Sequence, residues 1–413
     1  MKFQKLIILF SFLCFSVFAQ SDIDSPYSLF GIGKENSSYF GGSIGLANTG
    51  IAYSNGLLIN KINPASLTSL EPNTFLYEIG LNNTLSVKSD NNNSQTNYDF
   101  NFTHIGIGFS ASDRWKMSFG LVPKTKTSYN IDIISPVEGN NNLYYTSVTG
   151  SGGINEVFWS HGFKLAKNLS IGLELNAYFG SINQEKYINY LTTQVYLNQT
   201  KKYTGLGLKG GFQYKFNNIL GTNTTIGAIV NMPSTLSGTK DTEGTKIFES
   251  IGSTTIIEET DTNLADFEMP LKIGFGISTQ IRKLTFNLDY QKNYWSNSYT
   301  SNSNFSYRDQ SIYGLGLEYK RQTNSLKYYR KVIYRMGLNY DSGYLSFSNS
   351  KIDSYGVSAG IGLPISNKGT TLNLSYSFGK EGTLNNNLVM DNFHKISLNI
   401  SLFDDWFRKQ KIY

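Results

Sequence analysis

Apolar residues recur at every second position through most of this chain, and that period constrains the fold more than any other feature. Across Asn168–Gly180, the residues Leu169, Ile171, Leu173, Leu175, Ala177 and Phe179 share one face, and Asn168, Ser170, Gly172, Glu174 and Asn176 share the other. A helix needs apolar residues three and four apart; strict alternation predicts a strand with one apolar face. The same pattern returns in Leu284–Tyr294, Thr371–Gly379 and His394–Phe403. Ten more segments fit it: Phe75–Asn82, Tyr98–Phe109, Arg114–Val122, Val157–Leu165, Leu206–Phe216, Thr225–Met232, Ile273–Gln280, Ile312–Lys320, Val332–Tyr340 and Tyr355–Ile365. Phase changes near His104, where Tyr98, Phe100 and Phe102 give way to Ile105, Ile107 and Phe109, which predicts either a bulge or a half-strand outside lipid.

The connections between these fourteen segments sort into two classes. Seven are long and polar, near Asn83–Asn97, Lys124–Ser147, Ser181–Tyr203, Pro233–Asp266, Ser296–Ser306, Asp341–Lys351 and Lys380–Met390. Six are short, near Ser110–Asp113, Ala166–Asn168, Asn217–Asn223, Ile281–Lys283, Arg321–Tyr329 and Ser366–Gly369, and the two classes alternate strictly. Sandwiches do not sort their turns this way, and no 40-residue propeller repeat is present. Outer-membrane barrels have an even strand number, short periplasmic turns and long external loops. The expected fold is therefore all-β: a 14-stranded antiparallel transmembrane barrel in the cell outer membrane, with both ends periplasmic. Composition agrees, since 28 Tyr, 27 Phe and 39 Gly stand against 8 Pro, and mean hydropathy is only -0.27.

Before the barrel, Lys2, Lys5, the apolar run Leu6–Phe18 and Val17-Phe18-Ala19 predict a signal peptide over 1–19, cleaved before Gln20. Cys14, the chain's one cysteine, lies inside that run, so the mature chain offers no disulfide, thiol nucleophile or zinc–thiolate site. Residues 20–73 do not read as strands and carry a glycine-rich stretch from Gly41 to Gly50 and the triplet Asn63-Pro64-Ala65. This small-residue chain is suited to packing inside a barrel of this width, as a hatch. The domain expectation is thus signal 1–19, hatch 20–73, barrel 74–403, and a short basic periplasmic tail at 404–413 with Arg408-Lys409-Gln410-Lys411.

The stretch Gly45-Leu46-Ala47-Asn48-Thr49-Gly50, followed by Asn63-Pro64-Ala65 just before the first strand, resembles the FadL/TodX outer-membrane transport family. The resemblance implies a fourteen-stranded barrel with an N-terminal hatch, passive uptake of long-chain fatty acids or aromatic hydrocarbons, and lateral exit through an inward kink in the third strand. Gly45, Gly50, Asn63, Pro64 and Ala65 are the hatch motif it marks, and Gly120 with Pro123 is the candidate wall kink. The other reading of Pro123 is that it simply ends its strand.

Chemistry beyond transport finds little support. In Trp159-Ser160-His161, serine and histidine point to opposite faces of a strand, and parity also separates Asp99 from His104. No carboxylate pair or metal-ligand spacing stands out, so neither an enzyme, nor a cofactor, nor a metal is expected, and the scattered basic residues exclude a nucleic-acid site. Parity places Glu78, Lys116, Glu174, Lys209, Asp289, Glu318 and Arg335 inward; mixed signs suit paired ladders holding hatch and wall better than an ion filter. Three functions stay open: a channel for hydrophobic compounds, a sealed accessory barrel in an outer-membrane secretion or assembly complex, or, with less support, adhesion through the polar Asn- and Ser-rich loops. Expected partners are outer-membrane lipid, a hydrophobic small molecule, the barrel-assembly machinery during biogenesis and other outer-membrane proteins.

Overall fold

The computed structural model describes residues 25–36, 40–219, 221–248, 252–298, 305–320, 327–347, 350–366 and 369–405. The expected signal peptide and the basic cluster at 408–411 lie outside them. Fourteen antiparallel wall strands close on themselves. They are β1 (Thr74–Ser89), β2 (Ser94–Ser110), β3 (Trp115–Pro123 and Thr125–Pro136), β4 (Leu143–Lys164), β5 (Leu169–Tyr190), β6 (Thr193–Ile219) and β7 (Thr222–Asn231 and Ser234–Phe248). There follow β8 (Gly252–Met269 and Lys272–Ile281), β9 (Leu284–Asn293), β10 (Gln310–Lys320), β11 (Ile333–Asp341), β12 (Ser354–Pro364), β13 (Thr371–Gly382) and β14 (Met390–Asp405). β14 pairs with β1 from Met390↔Ser89 to Asp405↔Thr74, so the last strand runs past Phe403, where the tail was expected to begin.

Alternation does what a lipid exterior requires. On β5, Leu173 and Leu175 are 41% and 45% exposed, whereas Glu174 between them is 0% exposed. All seven charges placed inward by parity are buried. At the phase change, Gly80 pairs with His104 and Leu81 with Phe102, leaving Thr103 as the extra residue of a β-bulge. The bulge also corrects one parity reading. Asp99 and His104 are both buried inside the wall, because the inserted residue restores the inward face beyond it.

Four of the segments read as long polar links are largely strand, among them Asn83–Asn97, which holds the outer ends of β1 and β2. Lys124–Ser147 holds the outer half of β3 and the start of β4, and Pro233–Asp266 holds the outer halves of β7 and β8. Ser181–Tyr203 is a continuous β5–β6 extension closed by a tight turn at Leu191, a non-glycine residue with φ of 52°. β6 is 27 residues long, whereas about 10 residues cross a bilayer. Much of this side therefore stands above the membrane as a polar wall. Phe305–Tyr307, Leu345–Phe347 and Ser350–Lys351 form a separate small sheet in the loops.

The interruptions in β3, β7 and β8 fall at or beside Pro123, Pro233 and Pro270, where the ladder lacks a donor. The break in β3 has the largest consequence. β2 pairs with β3 only between Ile105–Ser110 and Lys116–Leu121, while the outer half of β3 pairs instead with β4 and with a two-residue strand, Lys34–Glu35, from the hatch. Opposite the break, Gly152 bends β4 with φ of 104°, and a β-carbon there would lie 2.2 Å from the Ser181 carbonyl oxygen.

Candidate functional site

The chain before β1 runs down the lumen from the outer end to the periplasmic end. Its outer end is fixed to β3: the Ser25 amide donates to the Ser128 carbonyl at 3.1 Å, and the Asn36 amide to that of Lys124 at 2.8 Å. Ser25 caps a 3-10 turn, Pro26–Leu29, with proline at its first turn, a position that tolerates the missing N–H. Tyr27 and Phe30 then pack with Phe305, Phe347, Tyr307 and Trp295 into an aromatic cap under the external loops. A second cluster, with Phe40, Ile59, Leu67, Leu70, Phe158 and Phe403, fills the lumen toward the periplasm.

Each residue of the expected hatch motif has a definite place in the structure. Asn63 caps the 3-10 helix Pro64–Ser69: its side-chain oxygen accepts from the Ala65 amide at 3.0 Å. Its Nδ2 donates to the carbonyls of Ile51 at 2.7 Å and Phe212 at 3.0 Å, so one amide joins hatch to hatch and hatch to wall. Pro64 and Ala65 lie against Gly172 of β5, where a β-carbon would be 2.2 Å from the Ala65 nitrogen. Gly45 sits in the turn Ser43–Leu46 against Gly360 of β12, and a β-carbon on Gly45 would be 3.0 Å from that glycine's Cα. The Gly50 and Ile51 amides donate to Asp289 of β9 at 2.6 and 2.9 Å.

Around these contacts the inner wall carries a belt of glycines in register. Gly162 faces Gly172, Gly172 faces Gly211, Gly227 faces Gly276, and Gly316 faces Gly337 across neighbouring strands. A β-carbon on Gly211, Gly227 or Gly337 would come within 2.4 Å of Asn63, Ile51 or Ala47. Sequence reasoning counted the glycines without seeing the belt, although their inward parity was readable.

Buried ions tie the same surfaces. Lys61 of the hatch pairs with Glu156 and, at 2.9 Å, with Glu174, which Lys209 also reaches at 2.8 Å. Burial disfavours the Lys61 ammonium, but the Glu156 and Glu174 carboxylates outweigh it and raise its pKa. Nearer the outside, Glu35 pairs with Lys272 and, at 2.9 Å, with Lys124. Burial alone would raise the Glu35 carboxyl; the two ammoniums prevail and hold it at about 2. Arg335 pairs with Glu318 at 2.8 Å, and the Tyr53 hydroxyl donates to Glu318 at 2.9 Å. Glu78 accepts from the Ile59 amide at 2.8 Å, and Lys116 contacts Ser110.

Between hatch and wall remains a cavity of about 410 Å³ whose lining includes Lys61, Lys124, Lys126, Lys272, Glu156 and Asp289. Gly120 and Pro123 lie on the inner half of β3. A β-carbon on Gly120 would be 2.4 Å from the Ile105 carbonyl oxygen, and Pro123 is the last residue before the strand breaks. Past the break, the Lys126 ammonium reaches across to Asp99 at 2.7 Å and Asn101 at 3.0 Å on β2.

The histidines serve other ends. His104 lies between Phe40 and Asn399, His161 belongs to an outer aromatic group with Trp115, Trp159 and Phe163, and His394 contacts Tyr376 at 2.7 Å. Ser160 donates to Glu174 at 2.6 Å on the face opposite His161. Among the described residues no group of three or more His, Cys, Asp or Glu could hold a metal ion.

Solved structures share this architecture. The Pseudomonas putida toluene transporter TodX matches at a TM-score of 0.61 and 15% identity, covering 90% of this chain and 100% of its own. A Pseudomonas aeruginosa FadL homologue matches at 0.59 and 11%, covering 91% and 100%. The CymD monoaromatic hydrocarbon channel matches at 0.56 and 16%, covering 92% and 99%. Among curated proteins no match to the sequence exists. The fold is thus that of the FadL/TodX barrels, and the protein is an outer-membrane one. Over residues 1–413 the sequence matches the family model described as BamG, and the chain belongs to the BamG family.

Proposed function

We propose that this protein is a hatch-sealed barrel serving as a subunit of an outer-membrane protein assembly complex. The observation carrying this reading is the seat of the hatch. Its backbone is pressed on wall glycines, and its charges are buried in pairs with wall charges. Separating them would strand several unpaired ions in a narrow lumen, at roughly 3–5 kcal/mol for each broken pair. A conduit for apolar molecules would be expected to carry a continuous apolar path, whereas the cavity here sets ammonium and carboxylate groups such as Lys61, Lys124 and Glu156 among its apolar lining residues. Membership of the BamG family is consistent with the same role.

The test is purification of the full chain in mild detergent, with partners identified and counted by mass spectrometry. Stoichiometric outer-membrane protein partners are expected. Recovery of the chain alone, with bound hydrocarbon or fatty acid, would count decisively for the second reading. That reading is passive uptake of hydrophobic compounds with lateral release, and the break in the β2–β3 ladder favours it. TodX and CymD are named for toluene and monoaromatic hydrocarbons; for this chain the compound would have to pass the polar side chains of Asp99, Asn101 and Lys126.

A further inference from the structure

The β2–β3 ladder stops at Ile105 and Leu121, yet β2 continues outward to Ser94 in register with β1. In a bilayer wall, backbone donors and acceptors have to be met by other protein groups or by lumenal water. Here the wall is bridged partly by side chains, Lys126 to Asp99 and Asn101, and partly from within by the hatch strand Lys34–Glu35 on β3. This stretch of wall therefore already accepts an added antiparallel strand. The outer half of β2 also shows what a strand beside it should look like. Phe100 is 67% exposed and Tyr98 57%, both toward lipid, while Asn97 and Asp99 are buried on the lumenal face. Among the described residues, the Lys126 ammonium of β3 crosses the seam to Asp99.

We propose that the β2–β3 seam is a strand-accepting edge, and that its partner is an extended segment of another outer-membrane protein, apolar on its lipid face and carrying a lysine or arginine on its lumenal face. Main-chain hydrogen bonds supply the affinity, and alternation with the cation supplies register. The incoming cation takes over the place of Lys126 on Asp99, and the hatch strand beside it marks the inner limit of the insertion. The inference rests on the assembly reading above.

The probe is a synthetic peptide of residues 390–405 of this chain, which alternates as a barrel strand should and carries Lys395. Full-length protein in detergent, with the photo-crosslinker p-benzoylphenylalanine at position 100, is irradiated with the peptide. Crosslinking is expected about tenfold above that from position 286, a Phe on the exposed face of β9, and a peptide with Lys395→Glu should lose about tenfold. Equal yields at positions 100 and 286, or indifference to the peptide's charge, would overturn the proposal. If substitution at Phe100 impairs folding, the crosslinker goes at Tyr98 with the same comparison. Stoichiometric partners without crosslinking at the seam sink this inference alone. Seam-specific crosslinking in a protein that purifies without partners sinks the assembly reading instead.

Discussion

Gly172 leaves no room for a side chain, because the Ala65 nitrogen and Pro64 carbon occupy the space a β-carbon would fill, at 2.2 and 2.3 Å. Gly172→Val should therefore lift the Asn63-capped helix off the wall and destabilise the fold by about 1–3 kcal/mol. Urea titration and protease access to residues 40–70 would report it; Gly210→Ala, where only Val230 lies nearby at 3.3 Å, should leave both unchanged. Lys61 makes the electrostatic counterpart of this contact. Lys61→Met keeps the aliphatic volume but leaves Glu156 and Glu174 with fewer cations in a buried site, and a loss of about 3–5 kcal/mol is expected. Lysine-to-arginine at the same place should recover only part of it, since the planar fork suits one bidentate partner better than two separate carboxylates. The inward charges were legible by parity because each sits on a strand whose other face meets lipid. Their partners were not, because pairs such as Lys61–Glu174 join positions more than a hundred residues apart.

All fourteen strands were readable where one face meets lipid, since only there does burial impose a two-residue hydrophobic period. Above the membrane both faces of β6 to β8 meet water, or water and a polar lumen, so Ser234–Phe248 and Gly252–Met269 lack that period and read as loop. The bulge at Thr103 announced itself as a phase change, but its effect on Asp99 and His104 needed the register to be seen. In the segment before β1, the two-residue strand Lys34–Glu35 was too short to leave a pattern. That strand offers a pH test. Glu35 titrates at about 2 rather than at 4.5, because Lys272 and Lys124 overcome the effect of burial. A carboxyl depressed on folding stabilises the folded form above its unfolded value and loses that contribution as pH falls through the folded value. Hydrogen-exchange protection of residues 26–36, corrected for intrinsic rates, should therefore be constant between pH 4.5 and neutrality and decline between pH 4.5 and 2. In Glu35→Gln the decline should vanish and protection at neutral pH should be lower. An unchanged profile in that variant would show that the outer end of the hatch is held by other contacts.

For the whole molecule, two apolar clusters fill the lumen at different heights with a cavity of mixed lining between them. The outer one joins the N-terminal segment to the external loops, and the inner one joins the hatch to β1, β4 and β14. A fourteen-stranded wall lies between barrels filled by their own side chains and porins with open channels, so what the hatch removes from the lumen decides conductance. Deleting residues 25–69 would take away both the aromatic cap's anchor and the glycine-seated turns, yet leave every wall ladder from β1 to β14 intact. In planar bilayers the full chain should show no steady ohmic current, and the deletion variant a large one. Gly172→Val should fall between, with intermittent openings as the inner cluster loosens while the outer cap holds. A steady current from the full chain would mean that the cavity is continuous from end to end, and sealing would then have to be abandoned as the basis of an accessory role. A silent deletion variant would mean instead that the wall collapses without its hatch, making the hatch a structural core for the barrel as well as its plug. Heat-modifiable migration in detergent gels separates these cases, since a collapsed wall loses the compact fast-migrating form and an open one keeps it.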